Sequence, residues 1–194
     1  MNLEERIYSV LVVSAAEKMN TSLSTFLAQP RYAPVKFVSG VGAAKRALAE
    51  RDFDFVIVNS PLPDDTGLRF AIDTAASVEA VILLLVRSEL FDEFFEQAAG
   101  NGVFTLYKPL SRPIFALALG WMESARERLR RQEKKTLSFE EKMEEIRLVN
   151  RAKWLLISEL KMDEPQAHRY IEKQAMDRCV SKREIAEEII QTYA

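Results

Sequence analysis

The chain has 194 residues, 48% of them apolar, and a formal net charge of −2, which is typical of a folded soluble protein with room for one medium and one small domain. Its longest apolar run, Ala80–Val86, is far too short to span a bilayer, and the N-terminal sequence MNLEERIYSVLVV does not resemble a secretory signal. A single cysteine, Cys179, excludes an internal disulfide framework, so we expect a cytoplasmic protein that does not enter a membrane.

The first half of the chain alternates strand-like and helix-like patterns. Strands are predicted at Tyr8–Val13, Val35–Val38, Phe55–Val58, Val81–Val86 and Val103–Tyr107. Helices are predicted between them at Thr21–Ala28, Ala43–Ala49, Leu68–Ala76 and Leu90–Ala99. Strands this apolar are buried on both faces, as in a parallel sheet covered by helices on each side. The pattern therefore predicts a doubly wound, five-stranded α/β domain over residues 1–120.

From Pro113 onward the strand pattern disappears. A helix is predicted to start at Ser111-Arg112-Pro113, and no Gly or Pro interrupts it from Trp121 into the 150s. Apolar residues recur in heptads, which predicts a coiled coil through which two copies pair. We expect this homodimer seam to contain Met122, Leu129, Phe139, Met143 and Ile146. An alternative stays open, because Ser138-Phe-Glu-Glu141 has the capping-box spacing that begins a new helix.

Two further helices have clear start signals. Asp163-Glu-Pro-Gln166 and Ser181-Lys-Arg-Glu184 each place a capping residue three positions before Gln or Glu. The C-terminal part is therefore predicted to be an all-α three-helix module over residues 138–194, preceded by a coiled-coil linker helix over 121–137. Residues 111–194 hold 17 basic and 15 acidic residues, against 10 and 14 in residues 1–110. This mild basic excess permits nucleic-acid binding without requiring it.

Two motifs in the α/β half resemble those of response-regulator receiver domains, which have a flavodoxin-like fold. They are Asn59-Ser-Pro-Leu-Pro-Asp-Asp-Thr-Gly67, similar to D-x-x-M-P-x-x-x-G, and Tyr107-Lys-Pro-Leu110, similar to K-P-F. The resemblance covers about residues 6–120. It implies a phosphorylation site built from a carboxylate nucleophile, an acidic pair that holds Mg²⁺, a hydroxyl and a lysine.

Most of that site is missing from this sequence. Asn59 stands at the nucleophile position, and an amide does not form an aspartyl phosphate. Ser14 and Ala15 replace the acidic pair, Val86 replaces the hydroxyl, and only Lys108 remains. The sequence thus predicts a receiver-like domain that works without phosphorylation, metal or cofactor.

Other residues of this half leave alternatives open. Asp64 and Asp65, beyond the third strand, are candidate substitute acceptors, and Lys108 is alternatively an ordinary strand-end lysine. Large apolar residues crowd the start of the fourth helix at Leu90, Phe91, Phe94 and Phe95. Some of them belong to the core, and the rest would face a regulatory protein partner.

The last 57 residues resemble the ANTAR module of transcription antiterminators. The segments that carry the resemblance are Asn150-Arg-Ala-Lys153, Glu164 to Asp177, and Lys182-Arg-Glu-Ile-Ala186. One position departs from the family, which often has Gly after Ala-Lys where this chain has Trp154. The resemblance implies that a dimer binds paired hairpin loops in a leader transcript and so prevents a terminator from forming.

The basic residues of this module are candidate RNA contacts. We select Lys153, Arg169, Lys173, Lys182 and Arg183, whose alternative interpretation is a solvated helix surface. Basic residues in the first turn of a helix oppose its dipole, so Lys182 and Arg183 suggest a bound phosphate at that N-terminus. The six basic residues of Arg126–Lys135 fit the flank of a coiled coil better than an RNA site.

An enzyme is not expected. His168 and Cys179 lie eleven residues apart on one predicted helix, or roughly 16 Å, which is too far for a catalytic dyad. We therefore predict an RNA-binding antitermination regulator. One rival is a protein-interaction adaptor that no longer binds RNA. The other, a DNA-binding response regulator, is disfavoured because no helix-turn-helix spacing with a Gly turn is present.

Overall fold

A computed structural model describes residues 6–193 as five strands and seven α-helices. In chain order these elements are β1 Tyr8–Val13, α1 Glu17–Phe26, β2 Tyr32–Val38, α2 Val41–Glu50, β3 Phe55–Asn59, α3 Leu68–Ser77, β4 Val81–Arg87, a 3-10 turn Ser88–Leu90, α4 Phe91–Gly100, β5 Phe104–Lys108, α5 Arg112–Leu160, α6 Glu164–Arg178 and α7 Lys182–Tyr193. The strands form one parallel sheet in the order β2-β1-β3-β4-β5. The predicted doubly wound sheet followed by helices is confirmed.

Two elements begin three or four residues earlier than the sequence pattern predicts. β2 starts at Tyr32 rather than Val35, and it includes Pro34, which lacks the N–H that a central strand would need. Because β2 is an edge strand, it has a neighbouring strand on one side only, so Pro34 is tolerated without an N–H donor. α1 starts at Glu17 rather than Thr21. In its first turn only Met19 is apolar and packs against the core, so the sequence shows no apolar periodicity there.

The sheet is buried on both faces by two separate apolar clusters. Alternate strand residues such as Val58 and Leu84 point toward α2, α3 and α4, whereas their neighbours Ile57 and Leu85 point toward α1 and α5. This arrangement explains the continuous apolar runs of the central strands, which have no solvent-facing side.

The helix α5 is continuous from Arg112 to Leu160, so the alternative of a new helix at Ser138 is not observed. Its first part covers one face of the sheet, where Met122 is fully buried and Leu129 packs against the same cluster. The prediction that Met122 lines a dimer seam is therefore wrong, because the sheet needs its side chain to cover the apolar face. Leu129 is only partly buried, and its role in a seam stays a prediction. Phe139, Met143 and Ile146 are exposed and keep their predicted role as a proposal.

Four hydrogen bonds converge on the carboxylate of Asp54, the residue before β3. The backbone N and the hydroxyl of Ser9 donate to one oxygen at 3.0 and 3.2 Å. From α5, Arg126 Nε and Arg130 Nη2 donate to the other oxygen at 2.9 and 2.7 Å. We call these four residues the Asp54 cluster; it ties α5 to the bases of β1 and β3.

The chain divides into two compact units between Arg130 and Arg131. This division falls inside the linker predicted at 121–137, and the predicted domain boundaries themselves stay predictions. Within residues 6–193, no helix combines the length and the apolar character that crossing a membrane requires.

The second unit has a small core shared by three helices. Its buried residues are Ala152, Leu156, Ala167, Ile171, Ala175, Ile185, Ala186 and Ile189. The capping box of α6 forms as predicted, since Asp163 accepts from the Gln166 backbone at 2.7 Å and Gln166 accepts from the Asp163 backbone at 3.0 Å. α6 ends at Arg178, because Cys179 adopts a left-handed conformation that stops the helix.

Candidate functional site

The residues at the degenerate receiver site form a hydrogen-bonded chain at the carboxyl ends of the strands. Asn59, only 4% exposed, donates through Nδ2 to Ser14 Oγ at 3.0 Å. Lys108 Nζ donates to Asn59 Oδ1 at 2.7 Å and also to the backbone carbonyl of Ser60. The structure thus brings together three of the five predicted residues of this site.

The other two residues of the degenerate site contribute no polar side chain to it. Ala15 is exposed beyond β1, and Val86 is fully buried on β4 within the apolar cluster on the α2–α4 face. Across residues 6–193, no three His, Cys, Asp or Glu side chains are grouped so that they could hold a metal ion.

The chemistry that remains at this site is that of a lysine held by neutral acceptors. Burial lowers the pKa of Lys108, and the nearby charge of Arg87 lowers it further. In place of a carboxylate, Lys108 has one amide oxygen and one carbonyl oxygen. Both ends of the Asn59 amide are engaged, which fixes its orientation. The group therefore links β1, β3 and β5 and offers no carboxylate nucleophile.

Asp64 and Asp65, the candidate substitute acceptors, are held by backbone N–H groups. Asp64 accepts from Val41 and Gly42 at 3.1 and 3.3 Å at the start of α2, and the Val41 hydrogen bond is the main cause that lowers its pKa. Asp65 accepts from the N–H of Gly67 at 2.6 Å. These contacts are those of turn and capping residues.

Aromatic residues of α4 and β5 form an exposed cluster. The rings of Phe91 and Phe95 stack with centroids 5.3 Å apart, and Phe91 meets Tyr107 edge-on at 5.5 Å. Phe95 and Tyr107 are about half exposed, whereas Phe94 is buried in the core. We call Phe91, Phe95 and Tyr107 the aromatic cluster. Sequence reasoning missed Tyr107, because a strand residue beside a buried run gives no local sign that it faces solvent.

The candidate RNA contacts of the second unit fall into two groups. Lys153, Lys182 and Arg183 form ion pairs within the chain, with Glu164 at 2.8 Å, Glu172 at 2.6 Å and Glu187 at 2.8 Å. Arg169 and Lys173 are exposed on α6, and the structure of residues 6–193 shows no ion pair for either of them.

The start of α7 already carries capping groups. Ser181 Oγ accepts from the Glu184 backbone at 3.2 Å, and the Glu184 carboxylate accepts from the backbone N–H and the hydroxyl of Ser181. The Ser181 hydrogen bond is the main cause that lowers the pKa of Glu184. A phosphate at this N-terminus would therefore compete with the Glu184 carboxylate.

Both units resemble known proteins. Residues 138–190 match the ANTAR domain family. The transcriptional regulatory protein PdtaR of Mycobacterium tuberculosis is 30% identical over 140 residues, which span 72% of this chain and 68% of PdtaR. This chain belongs to the ANTAR-domain response regulators. Its family is one of transcriptional regulators and not of enzymes.

Solved structures similar to the first unit of this ANTAR-domain regulator show its fold. The signal receiver domain of an HD domain-containing protein from Pseudomonas fluorescens Pf-5 superposes with a TM-score of 0.58, at 22% identity, over 69% of this chain and 96% of that one. An adenylate cyclase structure from Rhodopirellula baltica gives a TM-score of 0.60 at 17% identity, over 67% of this chain and 97% of that one. At these identities the similarity establishes the receiver fold and nothing about activity.

The ANTAR unit also has exposed residues that sequence reasoning did not select as contacts. Trp154 is 71% exposed on α5, and Tyr170, which follows Arg169 in sequence, is 38% exposed on α6. Large aromatic side chains that are exposed beside basic residues are candidate RNA contacts. Sequence reasoning could not select Trp154 and Tyr170 in this way, because their exposure is seen only in the folded unit.

Proposed function

We propose that this ANTAR-domain regulator binds hairpin loops of a leader transcript and thereby prevents a terminator from forming. The observation that carries the proposal is the ANTAR match over residues 138–190, which covers the second half of α5, all of α6 and most of α7. The exposed side chains of Arg169 and Lys173 on α6 supply positive charge that suits an RNA backbone.

We further propose that the receiver-like unit acts without phosphorylation. The support is the hydrogen-bonded chain from Ser14 through Asn59 to Lys108, in which an amide occupies the place of the nucleophile. In such a site Lys108 is already engaged by neutral acceptors, so no phosphoryl group is needed to recruit it. Regulation would then come through a surface, and the aromatic cluster is our candidate contact for a protein partner.

Two copies are proposed to pair through Phe139, Met143 and Ile146. These side chains share one face of α5 at heptad spacing and are exposed in the single chain. A paired module suits an RNA target made of two hairpin loops.

The deciding experiment is transcription in vitro from a template that carries the leader of the protein's own operon and its terminator. We expect the wild-type chain to increase read-through, and to do so equally with and without a phosphodonor. A variant with Arg169→Ala and Lys173→Ala should lose this effect. If the wild-type chain neither shifts the leader RNA in a gel nor changes read-through, the adaptor function that depends on the aromatic cluster becomes the better explanation.

A further inference from the structure

The last part of α5 is a basic segment with one large aromatic side chain in solvent. Residues 146–158 contain Arg147, Arg151 and Lys153 but no Asp or Glu. Trp154 follows directly and is 71% exposed, although burial of an indole is strongly favoured in water. An exposed Trp within a basic segment needs an explanation that the core of the unit does not supply.

Helix geometry places Trp154 and two arginines on one face. Arg147, Arg151 and Trp154 succeed one another at spacings of four and three residues, so they are neighbours on the helix surface. Asn150 lies on the same face, also exposed. The buried residues Ala152 and Leu156 point to the opposite side, into the core. We call Arg147, Asn150, Arg151 and Trp154 the Trp154 face.

The positive charges of the Trp154 face have few acidic partners in the described residues. The structure of residues 6–193 shows no ion pair for Arg151, and Arg147 has one exposed contact with Glu144 at 3.6 Å. Surface contacts of this kind contribute little. In contrast, Lys153 turns toward α6, where its amine pairs with Glu164 and its side chain is largely covered. Lys153, one of the predicted RNA contacts, is therefore occupied by an ion pair, whereas its neighbour Trp154 is free to contact RNA.

The charge on this face favours RNA over a second copy of the chain. In a symmetric dimer that pairs through this face, the same patch of each copy lies against the other. Arg147 and Arg151 of one copy would then lie near the same two arginines of the other copy, and like charges would face each other. RNA offers the opposite charge together with flat bases. Unpaired loop bases stack on aromatic rings and on guanidinium planes, whereas the bases of a duplex are already stacked on each other.

We propose that the Trp154 face binds an unpaired nucleotide of an RNA hairpin loop. Trp154 stacks on the base, Arg147 and Arg151 contact the flanking phosphates, and Asn150 is placed to hydrogen-bond the edge of the base. This assignment rests on the proposed RNA-binding function and specifies its contact with the loop. It makes Trp154 the residue that discriminates a loop from a stem.

The test uses a pool of RNA hairpins that share one stem and carry fully randomised loops. Hairpins retained by the wild-type full-length chain are sequenced, and the most enriched one is labelled for fluorescence-anisotropy titration. We expect Trp154→Ala to weaken its binding by about 5- to 100-fold, the range for a lost base–aromatic stack. Trp154→Phe should retain most of the affinity, because it keeps a ring. The matched control is Trp121→Ala, which removes the other tryptophan, also exposed but in the first unit, and should leave binding unchanged.

The salt dependence separates stacking from charge. Trp154→Ala removes no charge, so the slope of log affinity against log salt concentration should stay the same. Arg151→Ala should make that slope shallower by about 0.7, as for one lost single-strand phosphate contact. A direct signal of stacking comes from the Trp121→Phe chain, whose only tryptophan is Trp154. The enriched hairpin should quench the fluorescence of Trp154. A blunt-ended duplex with the same stem sequence and no loop should not.

The outcomes distinguish this inference from the function on which it rests. If the wild-type chain enriches no hairpin, the proposed RNA binding fails and the inference fails with it. If hairpins are enriched but Trp154→Ala binds them with wild-type affinity, RNA binding stands and the inference is overturned. It is also overturned if Trp154→Ala lowers the sedimenting mass of the free protein, since Trp154 would then be a contact between copies.

Discussion

Removal of the Asp54 carboxylate should strongly destabilise the first unit. In Asp54→Ala, Arg126 and Arg130 lose the acceptor that now lies 2.9 and 2.7 Å away, and Ser9 loses the two hydrogen bonds that it donates to the carboxylate. The side chains of Asp54 and Arg126 are only 12% and 13% exposed, so water replaces these contacts poorly.

The size of the effect follows from these contacts. Removal of one partner from a buried ion pair costs about 3–5 kcal/mol. Arg130 is more exposed and keeps a second carboxylate, Glu127, at 3.0 Å. We therefore expect the lower end of that range, a loss of about 3 kcal/mol in the free energy of unfolding.

The pH dependence gives the prediction a second test. Burial alone would raise the pKa of Asp54, but the hydrogen bonds from Ser9 and Arg126 and the charges of Arg130 and Arg126 outweigh it and hold the pKa below the ordinary value of 3.8. A carboxyl whose pKa is lower in the folded state stabilises the fold fully above 3.8 and loses that contribution as the pH falls through the folded value. The difference between wild type and Asp54→Ala should therefore be constant near neutral pH and shrink only below pH 3.8.

The assay is urea unfolding in a Trp154→Phe background, where Trp121 is the only tryptophan and reports on the first unit alone. Asp52→Ala is the matched control, because Asp52 is an exposed carboxylate two residues away and its loss should change stability by less than about 0.5 kcal/mol. A loss below about 1 kcal/mol for Asp54→Ala, or one equal to the control, would refute the argument from burial.

Three further predictions concern the proposed function. Incubation with acetyl phosphate and Mg²⁺ should add no mass to the intact protein, because Asn59 is not a phosphoryl acceptor; an acid-labile gain of one phosphoryl group contradicts this. Glu at both Phe139 and Met143 should shift sedimentation toward monomer, since buried unpaired charges are costly in a small seam; a monomeric wild type at tens of micromolar disproves the seam. Ala at both Lys182 and Arg183 should weaken binding to all RNAs and lower the salt slope by roughly 0.7–0.9 per lost contact; an unchanged slope removes the phosphate site from the start of α7.

Three of the strands and the start of α6 were readable from the sequence because their signals are local. The apolar runs of β1, β3 and β4 lie where they were predicted, and the Asp163 capping box forms with both of its hydrogen bonds. The start of β2 was not readable, because Pro34 argues against a strand unless it is known that the strand lies at the edge. That knowledge requires the order of the strands in the sheet.

The sequence by itself determined which side-chain chemistry is present at the positions that were compared with the receiver motifs. Asn59 carries an amide and Val86 an apolar side chain whatever their surroundings, because these are properties of the side chains. Family membership was likewise present in short motifs whose residues are close along the chain.

The tertiary structure alone decided which side chains are available. Met122 and Phe139 both occupy apolar heptad positions of one helix, yet Met122 is buried against the sheet and Phe139 is 65% exposed. Lys153 and Trp154 are adjacent in sequence, yet one is paired with Glu164 and the other faces solvent. The physical reason is that helical periodicity sets only the direction of a side chain around its own axis. What lies in that direction, a sheet, a carboxylate or water, depends on the packing of elements far apart in the chain.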